Sequence, residues 1–483
     1  MSRRSEAGPL RYVSTRGTAP ALEFEDVLLA GLARDGGLYV PETWPALDAA
    51  AIRAFAGLPY AELARRIMAP FVGRLADDPA FAALLADTYA KFGHPAVAPL
   101  AQLAPNDWLL DLTQGPTLAF KDYALQFLGR LFDLVLARRG ARITIVGATS
   151  GDTGSAAIEA CRDRGAVDVF ILFPNGRVSE VQRRQMTTVP SANIHCLAID
   201  GTFDDCQALV KAMFNDAPFR DALGLSAVNS INWARIMAQT VYYVAAAVAL
   251  GAPDRRVAFS VPTGNFGNVF AGYVAARMGL PVERFIVATN RNDILARFYA
   301  SGTMATAAVE PSLSPSMDIQ VSSNFERLLF DLYERDARVV TQKMAGFAAG
   351  GVLTAERERL AAARPLFVAG RRDDEETTAA IAAVWRETGM LIDPHTAIGV
   401  AVGRAERPDP SVPLVALATA HPAKFPDAVV RATGIRPELP PRLGDLFERP
   451  ERVTVVANDL RAVEHLIRDR ARIRIGARAG RKE

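Results

Sequence analysis

Lysine is the scarce cation in this 483-residue sequence. Of its 55 basic side chains six are lysines (Lys91, Lys121, Lys211, Lys343, Lys424 and Lys482), which leaves 55 − 6 = 49 arginines. Arginine stays protonated, whereas a desolvated lysine can lose its proton and form a Schiff base with an aldehyde. Lys121 stands out among the six. It follows Thr113-Gln114-Gly115-Pro116-Thr117-Leu118-Ala119-Phe120, a turn sequence leading into a helix. On that helix Lys121, Leu125, Leu128, Phe132 and Val135 recur at spacings of 4, 3, 4 and 3, which makes one apolar face. Burial and the positive end of the helix dipole both disfavour an ammonium there. The competing reading is a lysine whose stem packs while its head reaches water.

Two glycine-rich loops supply a second kind of chemistry. Gly147-Ala148-Thr149-Ser150-Gly151-Asp152-Thr153-Gly154-Ser155 follows a predicted strand and opens a predicted helix. Its backbone N–H groups and the hydroxyls of Thr149, Ser150 and Thr153 suit an anion. The spacing is neither G-x-G-x-x-G nor a lysine-bearing P-loop. Thr263-Gly264-Asn265-Phe266-Gly267-Asn268 sits in the same strand-to-helix position and forms a second candidate cup, suited to phosphate. Either loop alone also reads as a tight turn. Two anion loops and a buried-face lysine on one sheet together point to a phosphorylated aldehyde beside a substrate carboxylate, which describes pyridoxal phosphate.

These residues need rigid elements beneath them. Strands are expected at 108–112, 142–146, 167–173, 194–199, 257–261, 285–289 and 412–417. Helices are expected at 119–138, 154–164, 179–187, 203–215, 233–250, 268–278 and 374–387. This alternation predicts an α/β fold with mostly parallel, open sheets flanked by helices, and ligands at the carboxyl ends of the strands. Residues 1–100 read as mostly helical, with helices near 21–32 and 60–71 and few strand signals. The remaining divisions expected are 101–250 with the lysine and the first loop, 251–435 with the phosphate loop, and a C-terminal segment at 436–483. The Ser-, Pro- and Met-rich stretch 300–325 reads as a long functional loop or a domain crossing.

Composition excludes several classes. Half of the residues are hydrophobic and 22% are charged, a globular balance. The net charge of +2 is concentrated at 468–483, where seven basic residues face two acids, so a solvated tail is expected there and no nucleic-acid partner. Three cysteines (Cys161, Cys196 and Cys206) make neither a disulfide framework nor a zinc site and fit a reducing interior. No segment reads as a secretory signal or reaches the roughly 20 apolar residues of a spanning helix. A soluble cytoplasmic protein with no membrane partner is the expectation, and the oligomeric state is left open.

With those residues in hand, the chain resembles the threonine synthase family of pyridoxal-phosphate enzymes that share the tryptophan synthase β-subunit fold. The resemblance runs from Tyr12-Val13-Ser14-Thr15-Arg16-Gly17 and Asp35-Gly36-Gly37-Leu38-Tyr39 through the two loops. It continues in Asn229-Ser230-Ile231-Asn232-Trp233-Ala234-Arg235, Asp393-Pro394-His395-Thr396-Ala397 and Thr419-Ala420-His421-Pro422-Ala423-Lys424-Phe425. The N-terminal extension and the Asp of Ser150-Gly151-Asp152-Thr153-Gly154 resemble the longer bacterial and fungal type. The resemblance implies that Lys121 holds the cofactor aldehyde, that Gly264, Asn265, Phe266, Gly267 and Asn268 cradle its phosphate, and that Thr419 meets its pyridine nitrogen. Asp152 would lie near the cofactor, and Thr149, Ser150, Gly151 and Thr153 would hold the substrate carboxylate. Asn232, Arg235 and Lys424 would bind substrate, the two cations at its phosphate. Gln114 stands where relatives of the family carry His. The implied reaction converts O-phospho-L-homoserine and water to L-threonine and phosphate. A dehydratase or diaminopropionate lyase of the same fold, and a non-catalytic relative, are the alternatives. His395 and His421 read as capping or packing residues.

Overall fold

The computed structural model describes residues 9–149, 151–226, 230–407 and 409–473. Two mostly parallel sheets form its frame. The smaller has five strands in the order Thr454–Ala457, Ile194–Asp200, Val167–Pro174, Ile143–Ala148 and Leu225–Ser226, all parallel. The larger has six, in the order Phe367–Arg371, Val282–Thr289, Val257–Pro262, Leu414–Ala418, Asp107–Asp111 and Leu100–Ala104, the last antiparallel to its neighbour. Every residue of Val167–Pro174 and of Val257–Pro262 is buried. Continuous apolar runs of this kind mark strands covered on both faces.

One apolar core runs between the sheets. Val169 of the smaller sheet, Leu128 of the helix Lys121–Arg139, Val241 of the helix Trp233–Ala249 and Phe259 of the larger sheet belong to it. The lysine-bearing helix is therefore gripped on all sides, with Phe127, Leu131 and Phe132 fully buried. Where it passes the helix Asp152–Cys161, Gly129 comes so close that a Cβ on it would lie 2.3 Å from the Ala160 carbonyl oxygen. A side chain at that position would push apart the two helices that carry the site.

The expected strands and helices of the α/β region recur with shifts of a few residues at their ends. Elsewhere the structure differs from expectation. The N-terminal region contains a two-stranded antiparallel sheet, Tyr12–Ser14 with Tyr39–Pro41, whose three-residue strands are too short to show a period. The sheets also ignore the expected divisions along the chain. Asp107–Asp111 lies in the segment assigned to the first α/β unit but pairs with Leu414–Ala418 of the larger sheet. Thr454–Ala457, assigned to a separate C-terminal segment, extends the smaller sheet beside Ile194–Asp200. Parallel pairing depends on crossovers, which local composition does not encode.

The basic end is less solvated than its composition implies. Arg468 and Arg470 belong to the helix Leu460–Arg470, Arg468 lies 4.9 Å from the Phe219 ring centroid, and Arg472 pairs with buried Asp168. The remainder, 474–483, lies outside the described residues. Among the described residues no helix is long and apolar enough to cross a membrane.

Candidate functional site

Lys121 is the first residue of its helix and is only 8% exposed. The turn before it forces Leu118 into the left-handed region at φ 64°, an uncommon conformation for a branched side chain. The strained turn is pinned from two directions. The Phe120 N–H donates to the Thr419 carbonyl, and Asp122 accepts from both the N–H and the hydroxyl of Thr117 at 2.8 Å. Burial raises the Asp122 carboxyl to about 6, against the pull of the Thr117 bonds. Because its folded value lies above the unfolded one, folding binds an extra proton between about pH 4 and 6, and stability falls as pH rises through that window. Asp122→Asn should remove this component, so that urea midpoints of variant and parent diverge progressively from pH 4 to 6. Parallel midpoint curves would show that Asp122 does not titrate there.

Asp152 opens the neighbouring helix and faces the lysine. Its Oδ2 lies 3.3 Å from Lys121 Nζ and 3.5 Å from the Ser316 hydroxyl. Its Oδ1 takes Lys424 Nζ at 2.7 Å and Gln182 Nε2 at 2.8 Å. Burial would raise this carboxyl, but Lys121 and Lys424 overcome it and hold it well below the usual carboxylate range. For Lys121 the balance goes the other way. Burial lowers its pKa, Asp152 opposes that, and Lys424 and Arg235 add to the lowering. The helix face inferred from apolar spacing is thus buried, and the amine is biased toward its neutral form.

The loop Gly264 to Asn268 is the candidate anion cup. Phe266, at φ 61°, turns the chain into the helix Gly267–Arg277. Among the described hydrogen bonds none uses the backbone N–H of Gly264, Asn265, Phe266, Gly267 or Asn268. The Nδ2 of Asn268 is buried and unpartnered as well, while its Oδ1 accepts from Tyr242 and Tyr243. Open donors at a helix N-terminus fit a phosphate group, and a neutral amine fits its aldehyde, so these residues fit pyridoxal phosphate.

The stretch 300–325 covers this cup. Ser316 presents its carbonyl so close to Gly264 that a Cβ there would lie 2.9 Å from it. Ser322 donates to the Gly264 carbonyl at 2.8 Å, and the Asn324 side chain to the Asn265 carbonyl at 3.1 Å. Behind Asn324 stands Arg327, wholly buried, bonded to Asn324, to the Tyr39 carbonyl and to the Ile231 carbonyl. His395 donates from Nδ1 to the Asp393 carboxylate, 2.6 Å away, and its Nε2 accepts the Ser316 N–H at 3.2 Å. It fastens the cover as well as packing. His421 caps its own turn through the Ala423 N–H, and burial lowers its pKa to about 4.

Other expected site residues divide into free and committed groups. Arg235 is buried, and its Nε and Nη1 find no hydrogen-bond partner among the described residues. Burial lowers its pKa to about 10. Asn232 is committed, capping its helix at the Ala234 N–H and donating to the Leu28 carbonyl. The Thr149 hydroxyl accepts from the Gly151 and Gly154 N–H groups and so shapes its own turn. Gly151, at φ 148°, leaves no room for a Cβ beside the Gln182 amide. Thr153 is half-buried and Thr419 buried, with no described partner on either hydroxyl. Ser150 and Asn229 lie outside the described residues. Gln114 donates to Asp111 at 2.6 Å. Sequence reasoning missed Gln182, Ser316, Asn324 and Arg327, which carry no local motif.

Three family models match in succession: threonine synthase N terminus over 11–89, pyridoxal-phosphate dependent enzyme over 97–364, and threonine synthase C-terminal over 396–467. Threonine synthase of Pseudomonas aeruginosa is 60% identical over 459 residues, covering 95% of this chain and 98% of the relative. That of Corynebacterium glutamicum is 44% identical over 475 residues, covering 95% and 98%. Among solved structures, the pyridoxal-phosphate-bound threonine synthase of Brucella melitensis superposes with a TM-score of 0.94 at 56% identity, covering 96% of this chain and 100% of that one. The yeast enzyme superposes with a TM-score of 0.90 at 38% identity, covering 95% and 98%. The chain belongs to the threonine synthase family, and it is a pyridoxal-phosphate-dependent lyase.

Proposed function

We propose that the protein converts O-phospho-L-homoserine and water to L-threonine and phosphate in the cytoplasm, as the last step of threonine formation. The observation that carries this reading is the buried Lys121 amine beside Asp152, with Arg235 nearby holding two guanidinium nitrogens that are unpartnered among the described residues. A phosphate leaving group calls for such a cation, whereas a simple dehydratase has no use for it.

Bound pyridoxal phosphate supplies an electron sink that accepts negative charge from the substrate carbons. The chain's own residues do the rest. Lys121 Nζ binds the aldehyde and, once the substrate amine takes its place, moves protons at Cα and then Cβ. Gly264, Asn265, Phe266, Gly267 and Asn268 anchor the cofactor phosphate through backbone N–H groups. Thr419 would meet the pyridine nitrogen with a neutral hydroxyl, leaving the ring less electron-withdrawing than a carboxylate partner would. The turn Thr149, Ser150, Gly151, Thr153 holds the substrate carboxylate, with the Thr149 hydroxyl keeping the turn in shape. Arg235 attracts the departing phosphate. Lys424, already bonded to Asp152 and to the Thr117 carbonyl at 2.7 Å each, is a weaker candidate for that task.

Phosphate release from O-phospho-L-homoserine should exceed ammonia release from serine, threonine or diaminopropionate. Arg235→Gln should raise KM for O-phospho-L-homoserine by roughly tenfold to a hundredfold, the worth of a charge-assisted hydrogen bond. Faster turnover of serine or diaminopropionate would move the protein to another lyase class, and an unchanged KM would remove Arg235 from the phosphate subsite.

A further inference from the structure

Asp152 is shared unequally between two buried lysines. Its short contacts, at 2.7 and 2.8 Å, go to Lys424 and Gln182, while Lys121 and Ser316 hold the other oxygen at 3.3 and 3.5 Å. Lys424 is wholly inaccessible and has no other carboxylate partner among the described residues. A buried ammonium so placed needs that carboxylate for itself. Groups facing Lys121 from neighbouring elements are Asp152 on its helix, Lys424 at the turn Pro422–Lys424 and Arg235 on the helix Trp233–Ala249. With Lys121 itself left out, they total two positive charges against one negative. Asp122, on the lysine's own helix, faces Thr117 instead.

We infer that Lys424 is a positioning residue that occupies Asp152 and thereby keeps Lys121 available as a neutral amine for capturing the cofactor aldehyde. In that capture the amine nitrogen bonds to the aldehyde carbon, and the carbonyl oxygen departs as water with the amine's two hydrogens. Only the unprotonated amine can begin it. Without Lys424 the carboxylate would turn wholly to Lys121 and stabilise its ammonium. The inference rests on Lys121 being the cofactor lysine.

The test is the rate at which full-length enzyme, stripped of cofactor with hydroxylamine, regains its visible absorption on addition of pyridoxal phosphate, measured across pH. For Lys424→Met the midpoint of this profile should move to higher pH by about one unit or more, the usual effect of one neighbouring charge. Lys424→Arg should restore most of the original midpoint, and Lys424→Gln substitutes for the methionine variant should that fail to fold. Asp152→Asn should move the midpoint to lower pH. An unmoved midpoint in the neutral variants, whatever happens to the rate itself, would overturn the inference, because a purely structural lysine changes amplitude and not titration. Borohydride reduction and peptide mapping of the same samples separate the two levels. Label on another residue defeats the assignment of Lys121, whereas label on Lys121 with an unmoved midpoint defeats only the role of Lys424.

Discussion

Lys121→Ala is expected to lower phosphate release from O-phospho-L-homoserine by about a thousandfold or more, since it removes both the covalent anchor and the proton carrier. The purified variant should lack visible absorption, and borohydride should leave no pyridoxyl group on the chain. Loss of fold is not expected to explain the result. Asp152 retains Lys424 and Gln182, and a buried amine disappears with the side chain. Urea midpoints of variant and parent should therefore agree closely. Residual turnover near that of the parent, or a pyridoxyl label on any of the other five lysines, would defeat the assignment.

The second large effect is expected on stability. Arg327→Met removes one hydrogen bond each from the Tyr39 carbonyl, the Ile231 carbonyl and the Asn324 side chain, all around the wholly buried Arg327. Each hydrogen bond lost between a charged donor and a buried acceptor costs about 1.5–3 kcal/mol. Arg327→Lys should recover little, because a point charge cannot serve three acceptors in a fixed fork. The damage should extend to the cofactor. Asn324 holds the Asn265 carbonyl through both its backbone N–H and its side chain, so a loosened Asn324 frees the phosphate cup. Cofactor affinity, followed by the quenching of tryptophan fluorescence, should weaken by roughly tenfold, equivalent to one lost hydrogen bond. A variant with parental urea midpoint and cofactor affinity would show that the network is redundant.

Much of the fold is legible in the sequence because its decisive strands are short apolar runs buried on both faces. Val167–Pro174 and Val257–Pro262 are of this kind, and each is followed by the loop and helix that its turn residues announce. The buried face that carries Lys121 is legible for a related reason, since its apolar residues recur at helical spacing. Leu100–Ala104 escaped notice because it is a half-exposed edge strand without a clean alternation. Gln182, Ser316, Asn324 and Arg327 escaped it because their partners come from distant segments. Arg327, for example, meets Tyr39 and Ile231. Side chains of this kind gain meaning only from the closed structure. The division of the chain misled for the same reason, since neighbouring strands need not be neighbours in sequence.

The pairing of Asp107–Asp111 with Leu414–Ala418 bears on the protein's birth. The turn that presents Lys121 hangs from Thr419 through the Phe120 N–H, so one wall of the reactive pocket leaves the ribosome long after the amine does. A nascent chain therefore holds the Lys121 amine well before it holds the segment that pins the turn beside it. Aldehyde trapping should accordingly be the final act of maturation, and prematurely terminated chains should emerge colourless.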